Sequence, residues 1–199
     1  PLTVITTCLT LLKMDPAETK WIGKAESQTK KMSELVASLV TLSRMDEEEP
    51  PMTNTTFDLS EAVSDTAESF RGSAESGGHT LTLAVAPGIT YHGDEGALRQ
   101  LTSILLDNAL RYSLPGGDIS LSLTREKRSI VLRQSNPCAP LSGDELARLF
   151  DRFYRPDASR TASTGGFGIG LSIARGIAQA HGGTIRASCP EPGRIEFTP

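Results

Sequence analysis

Two stretches carry residue types that could do chemistry together. The first is Leu98 to Ser113, LRQLTSILLDNALRYS, with Asn108 and Arg111 three residues apart near its end. The second is Thr164 to Leu171, TGGFGIGL, which runs directly into SIARGIAQAHGG. Glycines ahead of a helix let backbone N–H groups close around an anion, and the helix dipole adds to the attraction. Asn108 lies one position from an apolar stripe, so its amide sits at the edge of a buried face. Burying an amide costs a few kcal/mol unless partners satisfy it. A bond to a nearby backbone group and a bond to a ligand are both open for it. A Pro/Ser/Thr-containing segment separates the two stretches, with short alternating strands around both.

These residues need elements to position them. Leu98, Leu101, Leu105 and Ala109, with Tyr112 completing the row, recur at three- and four-residue steps and predict a helix with one buried face. Asp94 caps it, and Pro115-Gly116-Gly117 turns the chain after it. Before it, Asp58-Leu59-Ser60-Glu61 starts a helix reaching about Phe70, Gly77-Gly78 ends that region, and Leu81, Leu83 and Val85 alternate as a strand. Ile119, Leu121 and Leu123 alternate again. Further strands are expected at Ile130 to Gln134, Thr184 to Ser188 and Arg194 to Phe197. Strands and helices mix without a regular βαβ rhythm, which predicts an α/β sandwich with helices on one face.

Between Pro137 and Phe167 only one short helix is expected, started by the capping box Ser142-Gly143-Asp144-Glu145. A loop this long in a compact domain suits a lid. Phe150, Phe153 and Tyr154 are expected to anchor it by packing. Arg155 and Arg160 either reach phosphates or stay solvated.

The amino-terminal part is different. Leu2, Ile5, Leu9 and Leu12 form a helical stripe, and Asp15-Pro16-Ala17-Glu18 looks like a new helix start. Ile22, Ala25, Thr29, Met32, Val36 and Leu39 then keep a heptad-like spacing, widened by Leu35 and Leu42. A seam that broad suits half of a four-helix bundle, so two chains are expected to pair their hairpins. Packing of the hairpin on the second domain is the alternative. The run Asp46 to Pro51 is a charged, proline-containing junction. The expected organisation is a hairpin over 1–46, a linker over 47–57 and an α/β domain over 58–199 with a lid over 137–167, an α+β chain as a whole.

Composition excludes several classes. The 199 residues are 38% hydrophobic with a net charge of −4, and no Lys/Arg cluster marks a nucleic-acid footprint. Cys8, Cys138 and Cys189 are too scattered for a disulfide framework or a zinc site, which fits a reducing cytosol. No apolar run approaches a membrane span and no signal peptide is visible. The chain opens on Pro1 inside an apolar pattern, as an excised piece would.

The segments LLDNALRYS, LFDRFYRPDASR and GGFGIGL, in that order, resemble the N-, F- and G2-boxes of bacterial sensor histidine kinases. The resemblance covers nearly the whole chain. It implies a dimerisation hairpin beginning just after the phosphoacceptor motif, so that the acceptor histidine precedes Pro1, followed by a catalytic domain of the Bergerat or GHKL type. It implies ATP and Mg²⁺, with Asn108 as metal ligand, Arg111 on phosphate oxygens, Tyr112 against the nucleotide or in the core, and Gly166, Gly168, Gly170 and Leu171 holding the phosphates. It implies transfer of the γ-phosphoryl to a histidine and then to an aspartate of a response regulator receiver domain. The expected partners are a second copy and that regulator. Attachment of the cytoplasmic domain to the bacterial cell membrane is expected only through other segments.

Two departures matter. Related ATPases of the fold use a glutamate one turn before the metal-binding Asn; here that residue is Ile104, and a hydrocarbon cannot act as a general base. The family's Asp-x-Gly-x-Gly falls on Asn136-Pro137-Cys138-Ala139-Pro140, with Asp replaced by Asn and both glycines gone. In the family that Asp accepts from the adenine amine. An amide at 136 offers donor and acceptor alike, which predicts weaker ATP binding and reduced discrimination against GTP. A degenerate, kinase-like dimerisation or nucleotide-sensing module is therefore the second reading. His79, His92 and His181 are expected in surface or capping roles, none as acceptor.

Overall fold

The computed structural model describes residues 2–14, 20–45, 52–127, 129–156 and 167–199. The expected helix start at Asp15 to Glu18, the acidic junction from Asp46, and Arg160 and Gly166 lie outside the described residues. The chain divides into two compact units, residues 1–47 and 48–199.

In the first unit α1 (Leu2–Met14) packs along α2 (Lys20–Met45). Cys8 and Leu42 are buried. Leu2, Val4 and Leu9 on α1, and Ile22, Val36, Leu39 and Val40 on α2, stay exposed. Two helices have too little facing surface to cover a stripe this wide.

The second unit opens with β1 (Asn54–Asp58), then α3 (Leu59–Glu68) and a short α4 (Arg71–Ser76). β2 (Thr80–Val85) and β3 (Thr90–Asp94) lead into α5 (Glu95–Tyr112). β4 (Asp118–Glu126) and β5 (Ser129–Pro137) form a hairpin, followed by α6 (Gly143–Arg148), α7 (Gly170–Ala180) and the hairpin of β6 (Arg186–Glu191) and β7 (Arg194–Thr198). The sheet runs β2-β4-β5-β7-β6, with β2 parallel to β4 and the other pairs antiparallel. Ile119, Leu121 and Leu123 on β4, Leu132 on β5, and Ile195 and Phe197 on β7 form its buried face. The buried stripes of α3, α5 and α7 complete this core, with α5 in contact with both other helices. Leu101, Leu105 and Ala109 are fully covered and Leu98 and Tyr112 half-buried, as the stripe predicts.

A second, two-stranded sheet pairs β1 with β3 antiparallel. The sequence reading passed over both strands because NTTFD and TYHGD lack an apolar alternation; they are held by each other. Asp58 and Asp94, the last residues of these strands, cap α3 and α5.

Asp94 is the tightest of these junctions. Its carboxylate accepts from the Ala97 N–H at 2.9 Å and from the Thr53 N–H at 3.0 Å. Its own N–H donates to His181 Nε2 at 3.1 Å, while His181 Nδ1 lies 2.8 Å from Ile177 O at the end of α7. The Tyr91 hydroxyl donates to His181 O at 3.1 Å. His181 thus ties the end of α7 to the start of α5, a capping role with a tertiary partner. The Thr53 and Ala97 N–H groups, with His181 nearby, hold the Asp94 carboxyl below its ordinary value of 3.8. A lowered folded-state pKa means this stabilisation is complete above the unfolded value and disappears as pH falls through the folded one. Asp94→Ala is expected to cost about 1–2 kcal/mol in urea unfolding at neutral pH. Asp94→Asn should flatten the stability profile below about pH 4, since it removes the titrating group.

Candidate nucleotide-binding site

The site is built on α5 and the start of α7. Asn108 stands on α5 next to buried Ala109, half-buried itself, and its amide makes no hydrogen bond to the described residues. The backbone-bonding alternative is therefore not what the structure shows. Arg111, in the last turn of α5, pairs with Asp107 at 2.7 Å, and both are exposed enough for the pair to be weak. Tyr112 is half-buried at the last helical position.

Helix α7 begins at Gly170 without any side-chain hydrogen bond from its N-cap residue, Ile169. Among the described residues, its first-turn N–H groups thus receive no side-chain cap from the N-cap position. A Cβ on Gly170 would lie 3.4 Å from Ile104 Cγ2, so the start of α7 rests against α5 one turn before Asn108. Leu171 is buried and anchors that end.

Gly168 does a different task. Its φ is +71°, and a Cβ there would fall 2.7 Å from Tyr154 O and 2.8 Å from the Phe153 carbonyl carbon. The Phe153 N–H donates to Gly168 O at 2.8 Å. The end of the LFDRFYR segment and the glycine turn therefore clasp backbone to backbone, and only glycine fits between them. Gly168→Ala is expected to loosen this clasp, read as faster proteolytic cleavage after Arg152 or Arg155 and faster amide exchange at Phe153.

The lid anchors divide. Phe150 is buried edge-on against Phe197, with ring centroids 6.2 Å apart. Tyr154 is half-buried with the Arg148 guanidinium 4.2 Å from its ring centroid. Phe153 departs from expectation: it is 62% exposed with φ +62°, because its backbone is committed to the Gly168 clasp and turns the side chain out. The capping box of α6 forms as expected between Ser142 and Glu145. Arg155 is half-buried and, with Arg148 and Arg152, lines a cleft of about 510 Å³.

Asn136 lies inside β5, paired with Ile195, and is 1% exposed. The strand runs further than its apolar alternation suggests. Asn136 Oδ1 accepts from Gln134 Nε2 at 3.1 Å, and Asn136 Nδ2 donates to Pro137 O at 3.0 Å. Pro137 O also accepts from the Leu114 N–H just beyond α5, at 3.2 Å. That contact seats the amide pair beside the end of the helix that carries Asn108. Sequence reasoning missed Gln134; its signal was a polar residue in the row Ile130, Leu132, Gln134. Burial pushes the Cys138 thiol up, and neighbouring Cys189 adds to the shift.

The residues fit a nucleotide with a hard cation. Asn108 offers one neutral oxygen, suited to Mg²⁺ that keeps water and phosphate ligands. The described residues hold no cluster of His, Cys, Asp or Glu able to bind a metal alone. The uncapped α7 start suits phosphate.

Known proteins share the domain and its fold. Residues 93–198 match the family of histidine kinase-, DNA gyrase B-, and HSP90-like ATPases, whose domain binds ATP. Sensor protein DltS of Streptococcus agalactiae serotype III (strain NEM316) is 32% identical over 187 residues, 94% of this chain and 47% of the relative. The chain thus spans about half the length of that curated relative. The histidine kinase AdeS of Acinetobacter baumannii superposes with a TM-score of 0.81 at 22% identity, covering 100% of this chain and 92% of that one. Histidine kinase ThkA, solved in complex with response regulator protein TrrA, gives a TM-score of 0.76 at 19% identity, covering 100% of this chain and 57% of ThkA. With that domain matched over residues 93–198, more than half of its length, the chain belongs to the histidine kinase-, DNA gyrase B-, and HSP90-like ATPase family.

Proposed function

We propose that this chain carries the ATP-binding part of a two-component sensor histidine kinase, which transfers the ATP γ-phosphoryl to a histidine and on to an aspartate of a receiver domain. The observation that carries this is the unbonded Asn108 amide beside the uncapped start of α7. Asn108 would hold Mg²⁺ through its oxygen. Arg111 would leave Asp107 for a phosphate oxygen, Tyr112 would flank the nucleotide, and Gly166, Gly168, Gly170 and Leu171 would shape the phosphate end. Mg²⁺, when bound, neutralises phosphate charge. Ile104 cannot take a proton from water, which favours transfer over hydrolysis.

The acceptor is none of the chain's three histidines. His181 is committed on both ring nitrogens, His92 faces Thr56 at 3.1 Å, and His79 has its Nδ1 buried. Incubation with γ-labelled ATP and Mg²⁺ should therefore leave no acid-labile phosphate on residues 1–199, while a longer chain with the acceptor becomes labelled. Stable label on His79, His92 or His181 would refute this.

The hairpin, in this reading residues 1–46 joined through a 47–57 linker to the catalytic part, pairs with that of a second chain. Exposed Ile22, Val36, Leu39 and Val40 support it. Among the described residues no helix is long and apolar enough to cross a membrane. We place this part on the cytoplasmic side, with membrane attachment through other segments.

One observation favours a degenerate, nucleotide-sensing module instead. Asn136 replaces the family's Asp and has its amide satisfied within β5. Mg²⁺-dependent autophosphorylation of the longer chain decides between the two.

A further inference from the structure

The buried row of β5 is Leu132, Gln134 and Asn136. Across the sheet Gln134 pairs with Leu121 and Phe197, and it is 0% exposed. Pro137 O can only accept, so it fixes Nδ2 as the end of the Asn136 amide that faces it. Asn136 Oδ1 must then meet a donor, and Gln134 presents Nε2. One atom is left over. Gln134 Oε1 is buried and has no partner among the described residues. Such an orphan acceptor is destabilising. The bond to Asn136 accounts for the nitrogen of Gln134 but not for its oxygen, which a hydrogen-bond donor brought with a ligand would pair.

Resting on the nucleotide-site reading above, we propose that Gln134 reads the base. Its Oε1, covered in the present structure, accepts from the exocyclic amine of adenine through one water held between them. It supplies the acceptor that a carboxylate at 136 would otherwise provide, while Asn136 holds the Gln134 amide in the required orientation. Selectivity for adenine over guanine, whose corresponding atom is an acceptor, then rests on Gln134 despite the loss of the aspartate.

Calorimetric titration of the whole chain with Mg-ATP, Mg-GTP and the triphosphate of purine riboside, which lacks the amine, tests this. Gln134→Met should weaken ATP binding by about ten-fold, leave the amine-free analogue unchanged and strengthen GTP binding. The melting temperature should hold or fall slightly, because the orphan Oε1 disappears while Asn136 Oδ1 loses its donor. In an Asn136→Asp background the same replacement should cost ATP little, because the carboxylate accepts directly and the two effects are not additive. Equal weakening of all three nucleotides, or no change in any, overturns the role of Gln134. If the unmodified chain binds none of them, or Asn108→Ala leaves binding intact, the nucleotide site itself is misread and this inference falls with it.

Discussion

Asn108→Ala is expected to remove Mg²⁺-dependent nucleotide affinity while leaving the fold as stable as before. The two halves of that result have separate causes. A bond between an amide oxygen and a charged partner is worth about 1.5–3 kcal/mol, so binding should weaken by roughly ten- to a hundred-fold. Stability should hold because the Asn108 side chain makes no hydrogen bond to the described residues that truncation could break. Alanine also has the higher helix propensity, by a few tenths of a kcal/mol. Titration with ATP, with and without Mg²⁺, beside urea unfolding reads both halves. Unchanged affinity together with a stability loss above about 1 kcal/mol would return Asn108 to a structural role.

Val36→Glu with Leu39→Glu is expected to turn a dimer into a monomer. Both side chains lie on α2, 56% and 41% exposed within one chain, beside Val40 at 47%. Burying a Val or Leu fully contributes about 1.5–3 kcal/mol. Two exposed residues from each of two chains therefore carry a large share of a micromolar association, about −8 kcal/mol. Carboxylates at those positions remove that term and must themselves be desolvated to pair. Light scattering should show the mass fall by half, with the helical signal of the second unit intact. A monomeric unmodified chain at micromolar concentration would remove the bundle from the proposal.

Much of this protein was legible in its sequence because the relevant forces are local. The caps at Asp58, Asp94 and Ser142 depend on a side chain and an N–H three residues away. The α5 stripe from Leu98 to Tyr112 and the alternation at Ile119, Leu121 and Leu123 follow from the periods of helix and strand. The linked segments around Asn108, Phe150 and Gly168 disclosed the family for the same reason. Other features needed the tertiary structure. β1 and β3 are strands through each other's backbone, a partnership that leaves no apolar rhythm in either. Phe153 is exposed because Gly168, fifteen residues on, takes its N–H. Asn136 is satisfied because β5 continues past its apolar alternation to Pro137 and pairs there with β7. The unbonded Asn108 and the orphan Gln134 Oε1 were equally hidden. Whether a polar atom has a partner depends on which distant groups the fold brings within about 3 Å, and no spacing along the chain records that.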